Sequence, residues 1–213
     1  CNAVTVLGGE PIGALRISDA DPRTRHRGVS HHSLTAFGRV ALGGTDLTGL
    51  DEAALCRLAA GIGSDVPFCV RGGTMLAEGR GEILTPLPPL PDCGIVICRP
   101  GFSSSTPELF AAVDRLRIKM HPDTDGMISA LEARDLDGVA RRMFNIFEAV
   151  LPRRHGGLVH ETKEALLDEG ALGACMSGTG SAVFGLFETP EQAREACLSL
   201  RESGMQCYLC RPR

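Results

Sequence analysis

The sequence predicts a protein of the α/β class, built as an α+β two-layer sandwich. Three observations support this prediction. Strand-sized apolar runs such as Gly94–Arg99 alternate with segments long enough for helices. Glycine, proline or a capping residue separates most of these segments. A proline-rich stretch, Leu84–Pro91, divides the chain and is incompatible with a helix or a central strand.

The N-terminal segment, residues 1–48, has no sustained period of 2 or 3.6 residues. Short strands are predicted at Ala3–Leu7 and Ala14–Ser18, and a short helix at Ser33–Leu42. From residue 49 onward, the sequence signals for helices and strands become regular. Asp51 is a plausible N-cap for a helix over Glu52–Ala60, and strands are predicted at Val66–Val70 and Thr74–Glu78.

The four prolines between residues 86 and 91 predict a linker at 85–92. Beyond it, strands and helices are expected throughout. The predicted strands are Gly94–Arg99, Ala174–Met176, Ala182–Phe187 and Met205–Cys210. The predicted helices are Pro107–Leu116, Gly126–Ala133, Leu136–Val150, Leu158–Asp168 and Pro190–Ser203. The domain prediction is therefore an atypical segment 1–48, a small lobe 49–91 and a larger domain 92–213.

Composition narrows the class of function. The net charge is −4 and aromatic residues make up 4%, which argues against nucleic acid as a partner. No apolar run approaches the ~18 residues of a membrane span, so no membrane partner is expected. Nine cysteines, an odd and scattered set, indicate a reducing, cytoplasmic location. The first residue is Cys and no leader follows, which suggests a fragment or a processed product.

Asp65 is the first candidate functional residue. It lies in the segment Gly61–Phe68, after a helix and a glycine turn. A carboxylate at the edge of a structural element can face a cleft and act as a base. An aspartate in a turn can equally cap its own backbone, and local sequence favours that alternative.

A glycine-rich turn between two predicted strands is the second candidate. It consists of Ser177, Gly178, Thr179, Gly180 and Ser181. Its amides can bind an anion, because small residues let a ligand approach the backbone closely. A tight hairpin without a ligand is an equally good interpretation.

The segment Ser103–Phe110 is the third candidate, because a helix start favours anions and Phe110 offers a ring face one turn later. Plain capping with Phe110 in the core is the alternative.

The three histidines in His26–His32 lack a carboxylate or cysteine at a ligand spacing, so no metal site is predicted.

Several of these blocks, in their order and spacing, resemble the 4-diphosphocytidyl-2-C-methyl-D-erythritol kinase family of the galactokinase, homoserine, mevalonate and phosphomevalonate (GHMP) kinase superfamily. The resemblance covers residues of about 50 to 212, and its joint pattern is specific although each block alone is not. The blocks are Gly63–Phe68, Gly72–Thr74, Glu78–Glu82, Arg99–Pro100, Ser105–Phe110 and Met176–Gly185.

The resemblance implies a GHMP-kinase-like C-terminal lobe and an enzyme that phosphorylates the 2-hydroxyl of its cytidine-linked, small-molecule substrate. It implies ATP and Mg²⁺ as cofactors and Asp65 as the base. It also implies that Thr106, Pro107 and Phe110 bind the substrate, with Phe110 stacking on cytosine. The loop from Ser177 to Ser181 is expected near the phosphates.

The first third of the chain departs from that family. Residues 1–49 contain no Lys and no Gly-Gly-Ser-Ser phosphate loop, which predicts an incomplete N-terminal lobe. Residues 8–40 instead resemble the tail of an uncharacterised bacterial family, which predicts a junction near residues 40–50. Two alternatives follow: a non-catalytic lobe that binds a small molecule or a partner, or a kinase of the same superfamily for another small alcohol. Nothing in the sequence indicates an oligomeric state.

Overall fold

The structure is a computed structural model that describes residues 3–6, 51–61, 66–79, 81, 83–116 and 121–212. The chain divides into two compact units between Leu87 and Pro88. The predictions for Ala14–Ser18 and Ser33–Leu42 lie outside the described residues.

The described residues of the first unit form a three-stranded antiparallel sheet and two helices. Its elements in chain order are β1 (Ala3–Val6), α1 (Glu52–Ala60), α2 (Val66–Arg71), β2 (Thr74–Glu78) and β3 (Ile83–Pro86). The strand order is β1-β2-β3, with β2 in the centre. The sequence did not predict β3, which extends into the expected linker. An edge position explains how a strand can end on a proline.

The prediction of a strand over Val66–Val70 is wrong, because this segment is the helix α2. Strand propensity largely reflects how side chains pack, so valines do not fix the local backbone. The buried Pro67 lies in the first turn of the helix, where its missing N–H costs no hydrogen bond. α2 packs against α1, and the Cys56 thiol contacts the Pro67 carbonyl at 3.9 Å.

The second unit contains a four-stranded sheet with the order β5-β6-β4-β7, in which all neighbours are antiparallel. Its strands are β4 (Gly94–Cys98), β5 (Gly173–Met176), β6 (Val183–Phe187) and β7 (Cys207–Cys210). Its helices are α3 (Thr106–Leu116), α4 (Thr124–Glu132), α5 (Leu136–Arg141), α6 (Arg153–Asp168) and α7 (Pro190–Glu202), with a 3-10 helix at Ile146–Val150.

The single helix predicted over Leu136–Val150 is wrong. α5 ends at Arg141, and the separate 3-10 helix begins after Asn145. The Asn145 side chain accepts a hydrogen bond from the Phe147 amide at 2.9 Å. Asparagine competes in this way with the helical backbone, and so it favours a cap over a helix interior.

One face of this sheet forms the core with α6 and α7. Val96 and Cys98 of β4 pack with Leu166 of α6 and Leu200 of α7. α7 approaches β4 so closely that a β-carbon on Gly94 would overlap Ala193 and lie 2.6 Å from the Thr189 carbonyl oxygen. Helices packed on antiparallel sheets confirm the predicted α+β arrangement.

Candidate functional site

The predicted substrate-binding residues lie at the start of α3. Thr106 is its first residue, Pro107 follows, and Phe110 lies one turn later. Phe110 is 51% exposed, so its ring does not belong to the core and is available to a ligand. The structure therefore excludes the alternative in which this phenylalanine is a core residue.

The glycine-rich loop joins β5 to β6 as a narrow turn. The Ser177 amide donates to the Ala182 carbonyl at 2.8 Å, and the Gly180 amide donates to the Ser177 carbonyl at 3.0 Å. Gly178 and Gly180 have positive φ angles of 54° and 86°, which glycine adopts readily. The turn is thus a hairpin connection, and that geometry is compatible with an anion site.

Three amides of this loop remain available to a ligand. Those of Gly178, Thr179 and Ser181 donate to no acceptor within the part of the chain that the structure describes. Consecutive free N–H groups in a glycine-rich turn form a concave surface with positive potential. The loop can therefore bind a phosphate or another anion through its backbone alone.

A direct contact brings the loop to the helix start. The Thr106 hydroxyl lies 3.1 Å from the Thr179 hydroxyl, although the residues are 73 positions apart in the chain. The glycine-rich loop and the first turn of α3 therefore lie next to each other. A helix N-terminus adds a partial positive charge there.

Aromatic side chains border the same region. The Phe110 ring contacts the Phe147 ring edge-to-face, with 5.0 Å between their centroids and 79° between their planes. Phe102 stacks on His155 at 4.5 Å, and a β-carbon on Gly180 would lie 3.2 Å from the Phe102 ring. Phe102 thus supports the loop, whereas Phe110 exposes a face.

Two buried polar atoms near these elements lack hydrogen-bond partners among the described residues. They are the Ser104 hydroxyl, two residues before α3, and Nδ1 of His155. Buried polar atoms are normally paired. Water or a ligand with hydrogen-bonding groups could satisfy these two atoms.

The sequence analysis missed Asn145, Glu148 and Lys163, which hold the backbone beneath the loop. Asn145 Nδ2 donates to the Met176 carbonyl at 2.7 Å and to the Gly178 carbonyl at 2.8 Å. Glu148 accepts from the Met176 amide at 2.8 Å and pairs with Lys163 Nζ at 2.7 Å. The only available signal was a polar pair spaced three residues apart inside a predicted helix.

Several cysteines of this unit are poor nucleophiles, because their thiols are hard to deprotonate. Burial, together with the nearby Glu148 carboxylate, raises the pKa of the Cys175 thiol to about 12. Burial also raises the pKa values of Cys98, Cys207 and Cys210. Cys207 and Cys210 lie on β7, which confirms the strand predicted at Met205–Cys210.

Asp65 lies outside the described residues, and the helix α2 rather than the expected strand follows it.

Among the residues that are described, no group of three or more His, Cys, Asp or Glu side chains is arranged to hold a metal ion. No described helix combines the length and apolarity that crossing a membrane requires.

Two family models match the chain. Residues 127–205 match the model described as GHMP kinases C terminal. Residues 1–54 match a family described as protein of unknown function (DUF3866). The second match confirms that the start of the chain resembles an uncharacterised family. The two matches lie in separate parts of the sequence.

Curated relatives share one name, 4-diphosphocytidyl-2-C-methyl-D-erythritol kinase. The protein from Acetivibrio thermocellus is 38% identical over 75% of this chain and 56% of its own length. Those from Lachnospira eligens and Geobacillus kaustophilus are 42% and 40% identical, over 70% and 82% of this chain and 52% and 58% of their own lengths. The chain thus spans just over half the length of these relatives.

Solved structures agree with the sequence relatives. A crystal structure of 4-(cytidine 5'-diphospho)-2C-methyl-D-erythritol kinase superposes with a TM-score of 0.67 at 28% identity, covering 88% of this chain and 68% of the other. Homoserine kinase from Cytophaga hutchinsonii superposes with a TM-score of 0.61 at 18% identity, covering 89% and 68%. The latter likeness shows the fold alone. Over the residues that align, the chain is similar in sequence and in fold to the 4-diphosphocytidyl-2-C-methyl-D-erythritol kinases, and residues 127–205 match the GHMP kinase C-terminal model.

Proposed function

We propose that this chain binds 4-diphosphocytidyl-2-C-methyl-D-erythritol and takes part in the ATP-dependent phosphorylation of its 2-hydroxyl group, a step of non-mevalonate isoprenoid synthesis in the cytoplasm. The observation that carries the proposal is the contact between Thr106 and Thr179. It joins two of the six sequence blocks that resemble the kinase family, Ser105–Phe110 and Met176–Gly185, at one location. The names of the curated relatives support the same activity.

Each part of the region suits one part of the substrate. The free amides of Gly178, Thr179 and Ser181 provide donors for phosphate oxygens. The exposed Phe110 ring provides a face for the cytosine base. The phosphoryl group would come from ATP, and Mg²⁺ would neutralise its charge. Asp65 is proposed as the residue that accepts the hydroxyl proton.

A second candidate function is a non-catalytic lobe that binds the same small molecule. Residues 1–54 match a different family, and the chain spans just over half of the kinase relatives. Residues 1–49 also lack the Gly-Gly-Ser-Ser run that would surround a triphosphate. Each lost donor to a transition-state charge costs ~3 kcal/mol, so a lobe without that loop retains little catalysis.

Calorimetric titration of the full chain with cytidine diphosphate tests the binding proposal. We expect saturable binding that weakens about fivefold or more in Phe110→Ala, because stacking of a base on an aromatic ring contributes ~1–3 kcal/mol. Leu116→Ala removes a side chain of similar exposure (60%) from the same helix and should leave the affinity unchanged. Absence of binding by the folded wild-type chain would contradict the proposal. Binding that does not require cytidine would favour a kinase for another small alcohol.

Phosphoryl transfer requires a separate assay, in which ADP release is measured with the cytidine-linked substrate and ATP. Turnover that disappears in Asp65→Asn would support the kinase and exclude the non-catalytic lobe. Binding without turnover would favour the second candidate.

A further inference from the structure

Asn145 makes three hydrogen bonds that tie the glycine-rich loop to the 3-10 helix Ile146–Val150. Its Nδ2 group donates one hydrogen to the Met176 carbonyl at 2.7 Å and the other to the Gly178 carbonyl at 2.8 Å. Its Oδ1 atom accepts from the Phe147 amide at 2.9 Å. Both donors and the carbonyl of the carboxamide are therefore used, and the side chain is held in one orientation.

The position of the Gly178 carbonyl determines the direction of the next amide. In a planar trans peptide, the C=O and the following N–H point in opposite directions. When the Gly178 carbonyl faces Asn145, the Thr179 N–H faces away from it. Thr179 is the residue whose hydroxyl meets Thr106 at the start of α3, and its amide has no acceptor within the described residues.

Glu148 fixes the residue that precedes the loop. Its Oε1 atom accepts from the Met176 amide at 2.8 Å, while Asn145 holds the Met176 carbonyl. Its Oε2 atom pairs with Lys163 Nζ of α6 at 2.7 Å. Both backbone groups of Met176 are thus bound by one short helix and the residue that caps it, and Lys163 anchors this helix to α6.

We propose that Asn145 is the positioning residue of the glycine-rich loop: by binding the Met176 and Gly178 carbonyls it directs the free Thr179 amide toward the phosphate of the bound nucleotide. Glu148 and Lys163 fix the Met176 amide and link the 3-10 helix that follows Asn145 to α6. The ligand in this inference rests on the proposed function, whereas the orientation of the amide does not.

The substitution Asn145→Asp separates positioning from capping. The carboxylate has nearly the same volume and still accepts from the Phe147 amide, but it donates nothing and repels both carbonyl oxygens. Asp135→Asn is the matched control, because Asp135 caps α5 by accepting from the Gly138 amide at 2.8 Å and makes no hydrogen bond to the loop among the described residues. This substitution exchanges a carboxylate for a carboxamide, and the remaining side-chain oxygen can still accept from the Gly138 amide.

Two readouts on the full chain test the inference. In ¹⁵N-resolved NMR without ligand, Asn145→Asp should shift the Gly178 and Thr179 amide resonances strongly, and Asp135→Asn should leave them in place. Affinity for cytidine diphosphate should fall about tenfold in Asn145→Asp alone, because a hydrogen bond to a charged group is lost. Unchanged loop resonances or unchanged affinity in Asn145→Asp would overturn the inference.

The two proposals fail in different ways. A wild-type chain that binds no cytidine diphosphate contradicts the proposed function, while the ligand-free resonances still decide whether Asn145 orients the loop. If Asn145→Asp does not fold, Asn145→Ala removes the same donors without introducing a charge. The same resonance shifts are then expected, and their absence overturns the inference.

Discussion

Replacing Glu148 by Ala tests the network beneath the loop through stability rather than binding. The substitution removes the acceptor of the Met176 amide and the partner of Lys163. Met176 is 2% exposed, so its amide would be left buried without a partner. That loss costs ~1–3 kcal/mol.

The ion pair adds less to the total. The side chains of Lys163 and Glu148 are 27% and 23% exposed, so the freed ammonium group can turn toward water. Partial solvent screening limits this contribution to at most ~1 kcal/mol. We therefore expect Glu148→Ala to lower the free energy of unfolding of the second unit by about 1–4 kcal/mol. Glu148→Gln retains an acceptor for the Met176 amide and should cost about 1 kcal/mol or less.

The assay can report on the second unit selectively. Tyr208 is the only tyrosine in a chain without tryptophan, and it lies on β7. Its fluorescence during urea denaturation therefore follows the unfolding of that unit. Glu164→Ala is the control, because that side chain is 57% exposed and lies on α6 as Lys163 does. A loss for Glu148→Ala no larger than the loss for Glu164→Ala would refute the reasoning.

Two further predictions concern packing and pH. Gly94→Ala should destabilise the second unit by about 1–3 kcal/mol in the same assay, because the new methyl group would meet the backbone of α7, whereas Gly101→Ala meets no atom within 4 Å and should be neutral. Equal effects of the two would contradict the packing argument. Burial raises the pKa of Cys93 and Cys175 from 9.0 to about 12, so the unfolded chain loses these protons at a lower pH than the folded one. Stability should therefore be unaffected by these thiols below pH 9 and should fall as the pH rises from 9 toward 12. Cys175→Ala should reduce that slope, and an unchanged slope would contradict the assignment.

Elements with strong local signals could be predicted from the sequence. The helix over Glu52–Ala60 has the predicted bounds, and the Asp51 carboxylate caps it by accepting from the Ala54 amide. α7 begins with the capping box of Thr189 and Gln192, and Pro190 occupies its first turn. These interactions join residues at most three positions apart, so they form wherever the sequence provides them.

Elements that depend on distant partners could not be predicted in this way. The valines of Val66–Arg71 favour a strand, but packing against α1 selects a helix. Asn145 interrupts a predicted helix because its carboxamide binds carbonyls 31 and 33 residues later in the chain. No periodicity in a short window of sequence contains that information.

The same distinction between local and distant contacts applies to the residues of the candidate site. The sequence alone identified the loop from Ser177 to Ser181 and the helix start at Thr106 as anion-binding candidates, because glycine content and capping are local properties. Only the tertiary structure brought Thr106 to Thr179 and left the Phe110 ring exposed. It also identified Asn145 and Glu148, since their role consists of contacts between segments that the fold places side by side.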